Sequence, residues 1–150
     1  MLCRCYQYIH TNKGDIMKYL NDYIEKGTDA VYNKHNVFYA FNDEQLQEGT
    51  SKSPEGTKFV SMGMGLICPK ENVKQFIEDY DDVLQAGIKQ DIKENGIKAI
   101  IMRELANHEC QISMDISDCV NKLSEYPITE ADIQSHWKEY FQQCIDNDWF

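Results

Sequence analysis

Apolar positions recur along most of this chain at helical spacing. Ile16, Tyr19, Leu20, Tyr23 and Ile24 fall at i, i+3, i+4, i+7 and i+8, which predicts an amphipathic helix ending near Gly27, with helix resuming over residues 29–36. Asn42 or Asp43 is placed to cap a short helix over residues 44–48, with Gly49 as its stop. Pro69 suits the first turn of a long tract whose apolar stripe comprises Val73, Phe76, Ile77, Tyr80, Val83, Leu84, Gly87, Ile88 and Ile92. Asn95-Gly96 interrupts that tract, and Ile97, Ile100, Ile101, Glu104, Leu105 and His108 carry the period onward. Asp115 or Ser117 can then cap a helix holding Ile116, Val120 and Leu123, which Pro127 ends. Thr129 and Asp132 have capping-box spacing and launch Ile133, Trp137, Tyr140 and Cys144 along one face of a last helix.

Two stretches follow another pattern. Leu2–Ile9 alternates as a strand does. Phe59–Cys68 is β-prone but interrupted by Gly63 and Gly65, whose spacing places both on one strand face, for a bulge or for close approach by a packed helix. Val37–Phe41 is apolar throughout, and local rules do not separate strand from helix there, while residues 50–58 read as a polar loop. The expectation is a predominantly α-helical α+β fold, its helices packed with a small β-hairpin or short sheet with strands near 2–9 and 59–67. A length of 150 residues, 42% of them hydrophobic, suits a single domain over residues 1–150.

Charge changes this picture most. The net charge of −10 is uneven: residues 1–70 balance, residues 71–114 carry −4 and residues 115–150 carry −6. Such a distribution argues against direct nucleic-acid binding, which calls for a basic stripe, and favours either solubility or attraction to a basic partner. The amino terminus lacks the sustained apolar run of a signal peptide, and no stretch approaches a membrane span. The six cysteines have no secreted-scaffold spacing, so reduced thiols and a cytoplasmic location are expected.

Site chemistry concentrates in residues 103–118, between two acidic helical regions. Glu104 and His108, four apart on a helix, would share a face and form half of a metal site, with Glu109, Asp115 and Asp118 as oxygen donors nearby. A hydrolytic centre needs at least three converging ligands, and only these two have defined geometry. Cys110 and His108 point apart on a helix, so the thiol lacks its base. Cys3 and Cys5 form a lone CxC, fit for a soft metal, a redox pair or a buried patch. No cofactor is expected. The simplest reading of residues 103–118 is structural: Glu104, Asn107 and His108 hydrogen-bond across a helix end, and Asp115 and Asp118 cap the next turn.

Three blocks, Val37–Gly49, Lys58–Lys70 and Glu104–Cys110 with Asp115–Asp118, in this order and spacing, resemble a family of small, mostly uncharacterised proteins from phages and mobile elements of gut bacteria. Some of its members resemble anti-CRISPR inhibitors of type II RNA-guided DNA nucleases. The resemblance implies a non-enzymatic inhibitor acting in the bacterial host cytoplasm, with such a nuclease, with or without its guide RNA, as partner. Those nucleases hold nucleic acid in positively charged channels, so the acidic residues Glu78, Asp79, Asp81, Asp82, Asp115 and Asp118 are the expected contacts. Two alternatives stand beside it: a small metal-dependent hydrolase or nuclease using Glu104 and His108, and a phage regulatory protein that binds another host factor.

Overall fold

Seven α-helices and a three-stranded antiparallel sheet occur among residues 17–150, which the computed structural model describes, so the fold is α+β and mostly helical as expected. The strand expected at 2–9 and the Cys3/Cys5 pair lie outside the described residues. The described chain divides into two compact units. A sheet unit comprises Leu20–Gly87, and a helical unit comprises residues 88–150 with residues 17–19.

In the sheet unit, α1 (Leu20–His35) starts four residues after Ile16 and runs through Gly27 without the expected break. The reason is steric. A Cβ at Gly27 would lie 2.8 Å from Val83 Cγ1, and one at Gly87 would lie 2.2 Å from Ile24 Cγ2. Both glycines admit close approach between α1 and the first part of α3 (Val73–Asn95), and here packing overrides the usual glycine stop signal. Gly49 behaves likewise: α2 (Asp43–Ser51) continues past it, and the Phe38 ring occupies the space a Cβ would need. Asn42 caps α2 as its sequence suggests, its Oδ1 accepting from the Gln45 amide at 2.9 Å.

The unassigned apolar segment supplies β1 (Phe38–Tyr39), an edge strand. Phe59–Cys68 is not one strand but the core of a hairpin, β2 (Phe59–Ser61) and β3 (Leu66–Pro69), giving the order β1-β3-β2. Phe38 pairs with Ile67 and Val60 with Cys68. Gly63, Met64 and Gly65 form the turn with φ of 94°, 52° and 82°, so the glycines serve the left-handed turn rather than one strand face. Pro69 ends β3, and a 3₁₀ turn over Lys70–Asn72 intervenes before α3 begins at Val73. Val31, Val37, Cys68 and Phe76 form the buried core, with Tyr32, Met62, Leu66, Tyr80 and Val83 packed against it.

In the helical unit, Gly96 at φ 80° separates the end of α3 from α4 (Ile97–Asn107), as Asn95-Gly96 predicts. Helix α4 contacts α5 (Cys110–Ser113), α6 (Ser117–Lys122) and α7 (Glu130–Asp146). Ile100, Ile101, Leu105, Leu123 and Ile133 are fully buried, each contributing about 1.5–3 kcal/mol by leaving water. The full Thr129/Asp132 capping box is formed at the start of α7. None of the described helices is long and apolar enough to cross a membrane.

Candidate functional site

Residues 103–118 form a buried corner. Arg103, 1% exposed, sends Nη1 and Nη2 to the two oxygens of Asp91 at 3.0 and 2.9 Å and Nε to Glu104 at 2.9 Å. Its Nη1 also reaches the Lys18 carbonyl at 2.8 Å, and its Cζ lies 5.3 Å from the Tyr19 ring centroid. Asp91, wholly inaccessible, additionally accepts from the Tyr126 hydroxyl at 2.6 Å and the Asn95 amide at 2.8 Å. Burial opposes the Arg103 charge, but bonding and attraction to Asp91 and then Glu104 outweigh it and raise its pKa. Burial and the bond to Asp91 raise that of Tyr126.

This arrangement holds helices together and leaves little chemistry over. The expected pairing across a helix end is replaced: one Glu104 oxygen is taken by Arg103, and the other stands 3.6 Å from His108 Nε2, beyond a hydrogen bond. Among the described residues no third donor joins Glu104 and His108, and no group of three or more His, Cys, Asp or Glu could hold a metal ion. Cys110 is fully buried, and burial, then the charges of Asp115 and Asp118, push its thiol up to about 11, the reverse of an activated nucleophile. Glu109 and Met114, both left-handed at φ 48° and 56°, turn the chain into and out of α5.

The six expected contact residues divide between the units, Glu78, Asp79, Asp81 and Asp82 in one and Asp115 and Asp118 in the other. Asp79 is engaged: it accepts from Lys34 Nζ at 2.6 Å, His35 Nε2 at 2.7 Å and Gln75 Nε2 at 3.0 Å, which hold its carboxyl well below the usual carboxylate range. Asp115 is engaged too, its Oδ1 accepting from the amide and hydroxyl of Ser117 at 2.8 and 2.7 Å, so its carboxyl also sits low. Ile116 takes the N-cap position of α6. Glu78 faces Lys74 at 4.0 Å on the surface, a pair worth little. Asp81, Asp82 and Asp118 are exposed.

One of these acids lies at a feature the sequence did not announce. Asp81 edges a groove of about 440 Å³ in the sheet unit, walled by Tyr32, Tyr39, Tyr80, Met62, Met64 and Ile77 and floored by Phe76. The rings are grouped closely: the Tyr32 centroid lies 6.0 Å from Tyr39, 5.6 Å from Phe76 and 6.5 Å from Tyr80. Burial, then the hydrogen bond to Tyr39 at 3.3 Å, raises the Tyr32 pKa. Beside the groove, Phe41 stacks on Tyr39 at an interplanar angle of 8°. Met64 is 93% exposed at the hairpin tip, in a backbone conformation that costs a non-glycine residue about 1 kcal/mol or more. Tyr39 and Ile77 are likewise left exposed at the groove. Phe76 and Tyr80 read as core stripe in the sequence, and only the hairpin folding back beside them makes a wall. The density of aromatics in residues 37–41 was the available signal.

No curated protein and no solved structure matches the chain. A family model described as a family of unknown function (DUF7659) matches residues 20–143, and the chain belongs to that family.

Proposed function

We propose that this chain is a non-enzymatic binding protein that docks its sheet unit onto a basic protein surface, and that the surface belongs to a type II RNA-guided DNA nuclease. The observation that carries this reading is the meeting of exposed α3 carboxylates with an aromatic groove. Charge steers and orients encounter, while a desolvated apolar centre supplies the hold. The sheet unit has twelve Asp and Glu against six Lys, a net −6, and among the described residues the groove's lining includes an acid and no base. The nuclease is the partner implied by the resemblance of residues 37–49, 58–70, and 104–110 with 115–118, and its nucleic-acid channels have the complementary sign.

Guide-loaded nuclease cleaving a linear DNA target, titrated with this protein over a salt series, tests the reading. Inhibition should weaken as salt rises, because the acids act through screened attraction. The variant Glu78→Gln/Asp81→Asn/Asp82→Asn should lose about tenfold or more in potency, from three charges worth about 0.5 kcal/mol or more each. Undiminished cleavage by every type II effector tried, or inhibition indifferent to salt, refutes it. A partner of another kind captured through the same surface would reassign the protein to regulation of that host factor.

A further inference from the structure

We infer that the groove beside Asp81 is an arginine-binding site, taking one arginine side chain projected by an exposed segment of the partner protein. The inference deepens the binding reading above by naming the group recognised. Among the described residues the lining is apolar and aromatic, with no Lys or Arg, and its single charge is the Asp81 carboxylate. Asp81 is exposed and has no hydrogen bond or ion pair among the described residues, unlike Asp79 two residues before it. An apolar occupant would leave that carboxylate unused, and an acidic one would be repelled by it. A cation is therefore the complementary class.

Among cations, the wall favours guanidinium. Three tyrosine rings line the groove, those of Tyr39 and Tyr80 tilted by 50° and 32° from that of Tyr32, and aromatic faces attract cations. Planar, weakly hydrated guanidinium stacks on such faces and can bond a carboxylate in bidentate fashion, whereas ammonium is strongly hydrated and binds as a point charge. Met62 and Ile77 give the aliphatic stem of arginine an apolar track, and thioether side chains adapt readily to such a guest.

The methionines provide the assay. Of six, Met62 and Met64 line the groove and Met102 and Met114 lie in the helical unit, so ¹³C-methyl methionine spectra separate site from bulk. The full chain is titrated with three blocked peptides, identical except for a central arginine, lysine or citrulline. The arginine peptide should shift the Met62 and Met64 signals saturably and leave Met102 and Met114 in place. Citrulline, which has the shape without the charge, should bind about tenfold or more weakly, and lysine about threefold or more weakly. Asp81→Asn and Tyr39→Leu, both at exposed positions, should each weaken the arginine peptide about fivefold. Equal binding of citrulline or lysine overturns the inference, as does an unaltered affinity in Asp81→Asn. Groove signals that move with protein concentration alone would assign the groove to a second copy and overturn it too. The two readings separate cleanly. Arginine binding without nuclease inhibition upholds this site and removes the nuclease, while inhibition without peptide binding removes this site and upholds the nuclease.

Discussion

Arg103→Met tests whether the helical unit is organised by its buried ion network. Methionine retains the unbranched apolar stem and loses every donor. Asp91, wholly inaccessible, would then keep only the Tyr126 hydroxyl and the Asn95 amide, and Glu104 would lose its bond at 2.9 Å. Removing one partner of a buried pair leaves an uncompensated charge and costs about 3–5 kcal/mol, against a total stability of about 5–15 kcal/mol for a domain. Because Asp91→Asn also removes the stranded charge, the double variant Asp91→Asn/Arg103→Met should be more stable than the sum of the single losses by about 2 kcal/mol or more. Urea unfolding followed by tryptophan fluorescence reads this unit specifically, since both tryptophans, Trp137 and Trp149, lie in it. With a slope of about 2 kcal/mol/M, the Arg103→Met midpoint should fall by roughly 1.5–2.5 M. A loss below about 1 kcal/mol, or strict additivity in the double variant, would refute the idea that the network holds α3, α4 and Tyr126 together.

Gly87→Ala should destabilise the sheet unit by about 1–3 kcal/mol despite alanine's better helix propensity, because the new methyl meets Ile24 Cγ2 at 2.2 Å; thermal melts with and without Ile24→Ala, which removes that methyl, check the cause. Cys68, Cys110, Cys119 and Cys144 are all buried, and burial pushes the Cys119 thiol up to about 12, so peptide mapping after alkylation at pH 8 should find all four protected in the native state and labelled in urea. The Asp79 carboxyl should titrate below the usual aspartate range by NMR, and Lys34→Met should raise its midpoint, since Lys34 is the first of the groups holding it down. With a folded value below the unfolded one, its contribution to stability is complete above about pH 5 and is lost as pH falls through the folded value; an unmoved midpoint in Lys34→Met would discount that pair.

What the sequence made legible were the features that depend on neighbours in the chain. The stripe from Val73 to Ile92, the break at Asn95-Gly96, the Asn42 cap and the Thr129/Asp132 box are all present, because period and capping are local physics. Gly27 and Gly49 misled for the converse reason. A glycine that ends a helix and one that admits a distant Val83 or Phe38 side chain are the same letter, and only the tertiary partner distinguishes them. Val37–Phe41 was ambiguous because a two-residue edge strand is too short to show a period and gets its identity from pairing with β3. The corner at 103–118 reads as structural in both sequence and structure. Yet its central partner, Asp91, stands twelve residues upstream of Arg103, where it resembles one more surface acid of α3.

That confusion of buried with surface acids bears on where the protein's charge can act. Summed along the sequence, the excess falls after residue 70; summed by unit, the sheet unit alone holds −6. Asp91 and Glu104 are neutralised or enclosed beside Arg103, while Asp79 and Asp115 are committed to local partners. What remains for a partner differs in kind from site to site. Asp118 is exposed on α6 and is not among the residues that line the groove, whereas Asp81 stands where a bound side chain would be desolvated. Charges of the first kind set the association rate and its salt dependence, and charges of the second kind set the dissociation rate. Stopped-flow or surface-based kinetics with the captured partner should therefore show Asp118→Asn slowing association by up to about twofold at low salt with dissociation unchanged. Asp81→Asn should speed dissociation about fivefold at any salt. If both substitutions act on association alone, the groove is only part of the acidic field, and binding is held by some other surface of the chain.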